Sequence, residues 1–210
     1  MKRAYSPKEI AAMKWVTLPW SEKWSAPFGF PAENASWFIS GASASGKSSF
    51  VMQLAKELCN YGLVLYMSYE EKVNQSFQKR MGYLGMNEVQ GKFRVATDDT
   101  YDELVSRLKK PKSPKFIIID SFQVADWDYP HAVELMEQFP KKCFIWISQE
   151  KKSQPMGAGA VRLKYICDMK IRVVGYKAYC QGRAIGEAGS YYVVWEDGII
   201  QTSNNLSKQE

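Results

Sequence analysis

Apolar residues recur along this chain in two alternating patterns. Ser36-Trp37-Phe38-Ile39-Ser40, Leu63 to Ser68, Phe116-Ile117-Ile118-Ile119-Asp120 and Cys143 to Ser148 are short, almost wholly apolar runs. Their length and composition suit strands buried on both faces. Between them, apolar residues return at helical intervals. Phe50, Val51, Leu54, Ala55 and Leu58 share one helix face, and Asn60-Tyr61-Gly62 ends that helix. Val73, Phe77, Arg80, Met81 and Leu84 form a second series. Phe93 to Ala96 suits a short strand. Thr100 and Glu103 fit a capping box that opens a helix with Leu104, Val105 and Leu108 inward. Pro130 to Phe139 suits another helix. Apolar strands alternating with helices predict an α/β fold, with a mostly parallel central sheet covered on both faces.

The pattern changes at both ends. Residues 1–35 are irregular and rich in Trp and Pro (Trp15, Pro19, Trp20, Trp24, Pro27, Pro31). They are expected to form a strap packed on the main domain. From about Met169, the stretches Lys170 to Gly175, Tyr191 to Trp195 and Gly198 to Gln201 read as strands, with Asp197-Gly198 as a hairpin signal. That predicts an antiparallel C-terminal edge. The expected organisation is a strap over 1–35, a core over 36–201 and a flexible polar tail over 202–210.

The strongest chemical signal lies between the first strand and the first long helix. Gly41-Ala42-Ser43-Ala44-Ser45-Gly46-Lys47-Ser48, followed by Ser49, matches G-x-x-x-x-G-K-[ST] in full. Small residues let the backbone curl so that successive N–H groups point at phosphate oxygens, and the following helix adds its positive end. Lys47 is placed to reach the β- and γ-phosphates, and the Ser48 hydroxyl to ligate magnesium. ATP and Mg2+ are the expected cofactors of a P-loop nucleoside triphosphatase. Asp120 closes an apolar strand, where ligands gather in open α/β sheets, and is the expected second magnesium partner, through water.

Composition narrows the picture further. A chain of 210 residues suits one domain with short extensions. It has no run of about 18 apolar residues, so no membrane span is expected. No apolar stretch follows Met1-Lys2-Arg3, so no secretory signal is expected. The four cysteines lack C-x-x-C spacing and His131 is the single histidine, which argues against zinc and for free thiols in a reducing cytoplasm. A net charge of +6 is compatible with a polyanion partner.

With these motifs in this order, residues Trp37 to Gln201 resemble the RecA-like ATPases, the group containing RecA, RadA, KaiC-like proteins and the hexameric replicative helicases. Leu65-Tyr66-Met67-Ser68-Tyr69-Glu70-Glu71 resembles that family's second strand, which ends in a catalytic glutamate. The resemblance puts Glu70 in the water-positioning place, beside the Glu71 that KaiC-like members also carry. Phe116 to Ser121 resembles the strand ending in Asp-Ser. Ile145-Trp146-Ile147-Ser148-Gln149 resembles the strand ending in a polar sensor, which gives Gln149 a contact with γ-phosphate or water. In RecA-like proteins the following loop lines a central channel and contacts single-stranded nucleic acid. Here it spans Glu150 to Gly159, expected to be flexible, with Lys151, Lys152, Arg162 and Lys164 as candidate contacts. It carries no aromatic residue to stack on bases.

Lys177 and Arg183 lie where family members place a cation that reaches the neighbouring subunit's γ-phosphate. Gln181 stands at the Lys position of the usual Lys-x-Arg pair. The resemblance implies a homo-oligomer, ring or filament, acting on single-stranded DNA in replication, recombination or repair. A core without a zinc module or a helicase-type N-terminal domain resembles the compact phage and mobile-element type. Two other readings stay open. One is a KaiC-like regulatory or assembly ATPase with a protein partner. The other is a small-molecule kinase, which would need an Arg-rich lid that the sequence lacks.

Overall fold

Nine strands and eight α-helices alternate through the computed structural model, which describes residues 4–182 and 186–206, the last four of these by backbone alone. Two short helices come first, α1 (Pro7–Ala11) and α2 (Glu22–Phe28). The core follows as β1 (Trp37–Gly41), α3 (Lys47–Leu58), β2 (Val64–Ser68), α4 (Gln75–Tyr83) and β3 (Phe93–Ala96). It continues with α5 (Tyr101–Lys109), β4 (Phe116–Asp120), α6 (Tyr129–Gln138), β5 (Cys143–Lys151), β6 (Gln154–Pro155) and α7 (Ala158–Ile166). The last elements are β7 (Met169–Val174), β8 (Lys177–Cys180), β9 (Tyr192–Val193) and α8 (Glu196–Leu206).

The sheet runs in the order β3-β2-β4-β5-β1-β7-β8-β9. From β3 to β7 every pair is parallel, and the β7–β8 and β8–β9 pairs are antiparallel. Side chains alternate across the pleat. Tyr66, Ile118, Ile147 and Ile39 enter the core that holds α2, α3 and α4 residues. Met67, Ile117, Trp146 and Phe38 enter the core with residues of α5, α6 and α7. Both faces are dry, which is why these strands read as continuous apolar runs. The Thr100–Glu103 capping box is present at the start of α5.

The Trp-rich N-terminal residues divide into two groups. Trp20, Trp24 and Phe28 are buried around Trp37, Phe50 and Tyr192, with Trp24 stacked on Tyr192 at 4.3 Å between centroids. By contrast α1 buries no residue, and Trp15 is exposed.

Two local expectations are overturned. The predicted strand over Gly198 to Gln201, with its Asp197-Gly198 hairpin, is the helix α8. The glycine serves close packing rather than a turn: a Cβ on Gly198 would lie 2.4 Å from the Trp195 ring and 2.6 Å from the Tyr176 ring. Acidic Glu196 and Asp197 in the first turn favour the helix start. The hairpin turn of this edge lies earlier, at Gly175-Tyr176 between β7 and β8, both residues having positive φ.

The segment Glu150 to Gly159, expected to be one flexible loop, instead opens with a paired hairpin. β5 runs on to Lys151, turns at Lys152-Ser153 (φ 49° and 63°) and returns as β6, with Glu150 opposite Pro155. The left-handed backbone at both turn residues is that of a tight two-residue hairpin. α7 follows directly.

Candidate nucleotide site

The carboxyl ends of the parallel strands bring the site together. Residues 41–49 run from the last residue of β1 into α3, Glu70 follows β2, Asp120 ends β4 and Gln149 lies near the end of β5. A cleft of about 350 Å³ is lined by Ala42 to Ser49, Glu70, Arg80, Gln149 and Tyr176. Gly46 takes φ 93°, a conformation that favours glycine, and the Tyr176 ring leaves no room there, a Cβ meeting it at 2.7 Å. The Tyr176 N–H donates to the Ser45 carbonyl at 3.0 Å, so the β7–β8 turn braces the loop. Lys47 is only 8 % exposed at the start of α3.

Asp120 and Glu70 are tied by backbone. The N–H groups of Tyr69 and Glu70 both donate to the Asp120 carbonyl, at 2.7 and 3.1 Å. The Glu70 carboxylate accepts from Gln149 Nε2 at 2.8 Å. Glu71, one residue on, turns elsewhere. It accepts two bonds from Arg80, Nη1 to Oε2 at 2.6 Å and Nη2 to Oε1 at 3.0 Å. The two adjacent carboxylates are thus held by different partners.

Asp120 is buried and accepts from the Tyr66 hydroxyl. Burial raises its pKa above the usual aspartate value, against the pull of the Tyr66 hydrogen bond and of Lys47. Burial also pushes the Tyr66 phenol well up, helped by the charge of Asp120. With a proton firmly on Tyr66, its hydroxyl is a fixed donor to one carboxylate oxygen. Three buried hydroxyls here have no hydrogen-bond partner among the described residues: Ser45 in the loop, Ser68 opposite Asp120 in the β2–β4 register, and Ser121. A curled loop of N–H groups, orphaned hydroxyls, a lysine and a recessed aspartate fit a phosphate chain with a hydrated divalent cation.

Below the cleft, the other face of the sheet carries a second polar group. Glu150, with its side chain 2 % exposed, accepts from Ser40 Oγ at 2.8 Å and from Arg172 Nε at 3.0 Å. Gln123 donates to Ser148 Oγ at 2.7 Å and to the Met156 carbonyl at 2.9 Å. It thereby fastens the segment after β4 to both sides of the β5–β6 hairpin.

The basic candidates scatter. Lys151 and Lys152 are exposed on the hairpin. Arg162 lies over the Tyr129 ring at 4.2 Å, and Lys164 is half-buried on α7. Lys177 on β8 sits over the Tyr191 ring at 4.4 Å, and Arg183 lies outside the described residues.

Sequence reasoning missed Arg80, Tyr66, Tyr176 and Glu150 as parts of this region. A signal existed for Arg80, a cation at an inward position of the series Val73, Phe77, Arg80, Met81 and Leu84. None existed for Tyr66, whose hydroxyl meets Asp120 only through the β2–β4 pairing.

No protein-family model matches the chain, and no curated protein matches it in sequence. Solved structures do. The flagellar accessory protein FlaH of Methanocaldococcus jannaschii superposes with a TM-score of 0.61 at 17% identity, over 85% of this chain and 93% of FlaH. The KaiC-like protein PH0186 of Pyrococcus horikoshii OT3 gives 0.61 at 15% identity, over 80% of this chain and 88% of its own. A third solved structure, an isolated ATPase domain, gives 0.52 at 15% identity, over 76% of this chain and 79% of that domain. At such identities the likeness is one of fold: the chain has the RecA-like P-loop fold.

Proposed function

We propose that the chain binds ATP with magnesium, hydrolyses it, and couples hydrolysis to single-stranded DNA through the β5–β6 hairpin. The observation that carries this reading is the Glu70–Gln149 contact at 2.8 Å across the phosphate cleft, two residues before Lys151.

The roles follow from position. The N–H groups of the P-loop and Lys47 bind the phosphate chain. Ser48 and Asp120 would hold magnesium, Asp120 through water and with its orientation fixed by Tyr66. Magnesium held there would offset negative charge on the phosphate chain. Glu70 is placed to orient the attacking water or take its proton, while Arg80 keeps Glu71 from that task. Gln149 holds Glu70 until the water and γ-phosphate compete for its amide. A shift of Gln149 moves β5, and Glu150 passes that shift to the hairpin. Exposed Lys151 and Lys152 then meet the phosphodiester backbone, a contact independent of sequence.

ATP hydrolysis with and without single-stranded DNA, at low and moderate salt, tests this, with Lys47→Ala as the blank. Stimulation that fades with salt supports the reading. Wild-type hydrolysis by Lys47→Ala would sink the P-loop assignment.

A second reading has its own support. Tyr5, Ile10, Trp15 and Val16 are exposed around α1, an apolar surface suited to a protein partner. It makes the chain a nucleotide-switched assembly ATPase, in keeping with its likeness to the flagellar accessory and KaiC-like proteins. Hydrolysis indifferent to DNA, with no DNA binding at low salt, favours it.

A further inference from the structure

Two cations line the phosphate cleft, Lys47 and Arg80. The place of Lys47 follows from the P-loop. That of Arg80 follows from the seating of α4. Asn74 Oδ1 caps the helix by accepting from the Phe77 N–H at 2.9 Å. Phe77 is buried edge-on against Tyr66, with ring centroids 5.9 Å apart. Residues three apart share a helix face, so anchoring Phe77 beside β2 delivers Arg80 to the cleft.

Arg80 is not loose there. Its fork grips the Glu71 carboxylate through both terminal nitrogens, and the two side chains are 20 % and 23 % exposed. A guanidinium carries five N–H donors, and this pair uses two of them. The other three belong to a rigid, permanently charged plane lining the same cleft as Lys47 and Glu70. Glu71 balances that charge while leaving donor capacity unused among the described residues.

We infer that Arg80 is a γ-phosphate recognition residue acting within its own chain, held ready by Glu71 and selecting nucleoside triphosphates over diphosphates. The inference rests on the ATP reading above and deepens it. It also divides the work of the adjacent carboxylates: Glu70 faces Gln149 and the water, and Glu71 positions the arginine. A cation from the same chain bears on the incomplete Lys-x-Arg pattern near the C-terminus, where Gln181 replaces the lysine. Lys177 is already engaged on a tyrosine ring.

The test is equilibrium binding of fluorescently labelled ATP and ADP, each with magnesium, to the full chain. Arg80→Ala is expected to weaken ATP binding by about 10- to 100-fold, the scale of losing charge-assisted hydrogen bonds, and to leave ADP binding at the wild-type level. Arg80→Lys should fall between, since an ammonium cannot present the fork. The double variant Glu71→Gln/Arg80→Gln replaces the ion pair with neutral amides and should lose the ATP preference as Arg80→Ala does, with a wild-type circular dichroism spectrum. A wild-type ratio of ATP to ADP affinity in both Arg80→Ala and the double variant overturns the inference. Lys47→Ala separates this from failure of the underlying reading, because it should weaken both nucleotides. If the wild type binds neither, or Lys47→Ala binds both normally, the ATP reading falls and this inference with it.

Discussion

Gln149 on β5 donates to Glu70 at the end of β2 across the intervening strand β4, at 2.8 Å. The contact crosses the carboxyl end of the sheet directly over the strand that ends in Asp120. It gives Glu70 a defined orientation while its backbone is held by the Asp120 carbonyl. Glu70→Gln is expected to retain ATP affinity and to lower kcat by about 10²- to 10⁴-fold, the usual contribution of a positioned general base. Glu71→Gln should leave kcat much closer to wild type, since Glu71 faces Arg80. Steady-state hydrolysis and ATP binding, measured on both variants, check the division. Equal losses of kcat would show that both carboxylates act on the water.

Burying Asp120 is expected to cost stability in return for its proposed role at the magnesium site. Burial raises its pKa, so between the unfolded value and the raised folded value this group binds more proton in the folded chain than in the unfolded one. The unfolded value is about 3.9. Stability contributed by this group therefore falls as pH rises from there through the raised folded value, and stays lower above it. Asp120→Asn removes that cost and can still accept from Tyr66. The variant is expected to melt above wild type at neutral pH and to lose magnesium-dependent hydrolysis. Thermal melts at pH 4 and pH 7.5 should show a smaller gap at the lower value; a variant melting below wild type at pH 7.5 counts against the argument.

How much of this was legible in the sequence depended on how local the cause was. The P-loop and the strand Ile117-Ile118-Ile119 could be read because short-range rules determine them: a phosphate-binding spacing, and an apolar run too short for a helix. Pairing was not legible. Tyr66 touches Asp120, and Phe77 seats Arg80, only because β2, β4 and α4 pack as they do. Gly198 misled for the same reason. Asp-Gly is a strong local turn signal, but contacts with Tyr176 and Trp195 decide the backbone there. The Lys152-Ser153 turn uses two residues that seldom adopt left-handed backbone, so no turn signal announced the hairpin.

The buried N-terminal aromatics bear on stability. Trp24 lies between Trp20, Phe28, Phe50 and Tyr192 and is almost fully buried, whereas Trp15 is 66 % exposed. Trp24→Ala is expected to cost about 3–5 kcal/mol, the range for removing a large aromatic from a core. Trp15→Ala should change folding stability by no more than about 0.5 kcal/mol. Urea unfolding of the two variants distinguishes a strap that belongs to the core from one that merely lies on it; similar midpoints would mean that the strap contributes little.

The hairpin prediction separates the two proposed partners. Lys151 and Lys152 stand exposed where β5 turns back, just beyond Glu150, which is clamped by Ser40 and Arg172. Each lysine that neutralises a phosphate releases counterions, and single strands contribute a salt slope of about −0.7 per contact. Replacing both with alanine should therefore weaken single-stranded DNA binding and flatten its log–log salt dependence by about 1.4. ATP hydrolysis without DNA should stay at the wild-type rate, because neither side chain lines the phosphate cleft. Fluorescence anisotropy of a labelled oligonucleotide across a salt series, paired with hydrolysis assays, reads both effects. An unchanged slope would place any DNA contact elsewhere and leave the hairpin free to meet a protein.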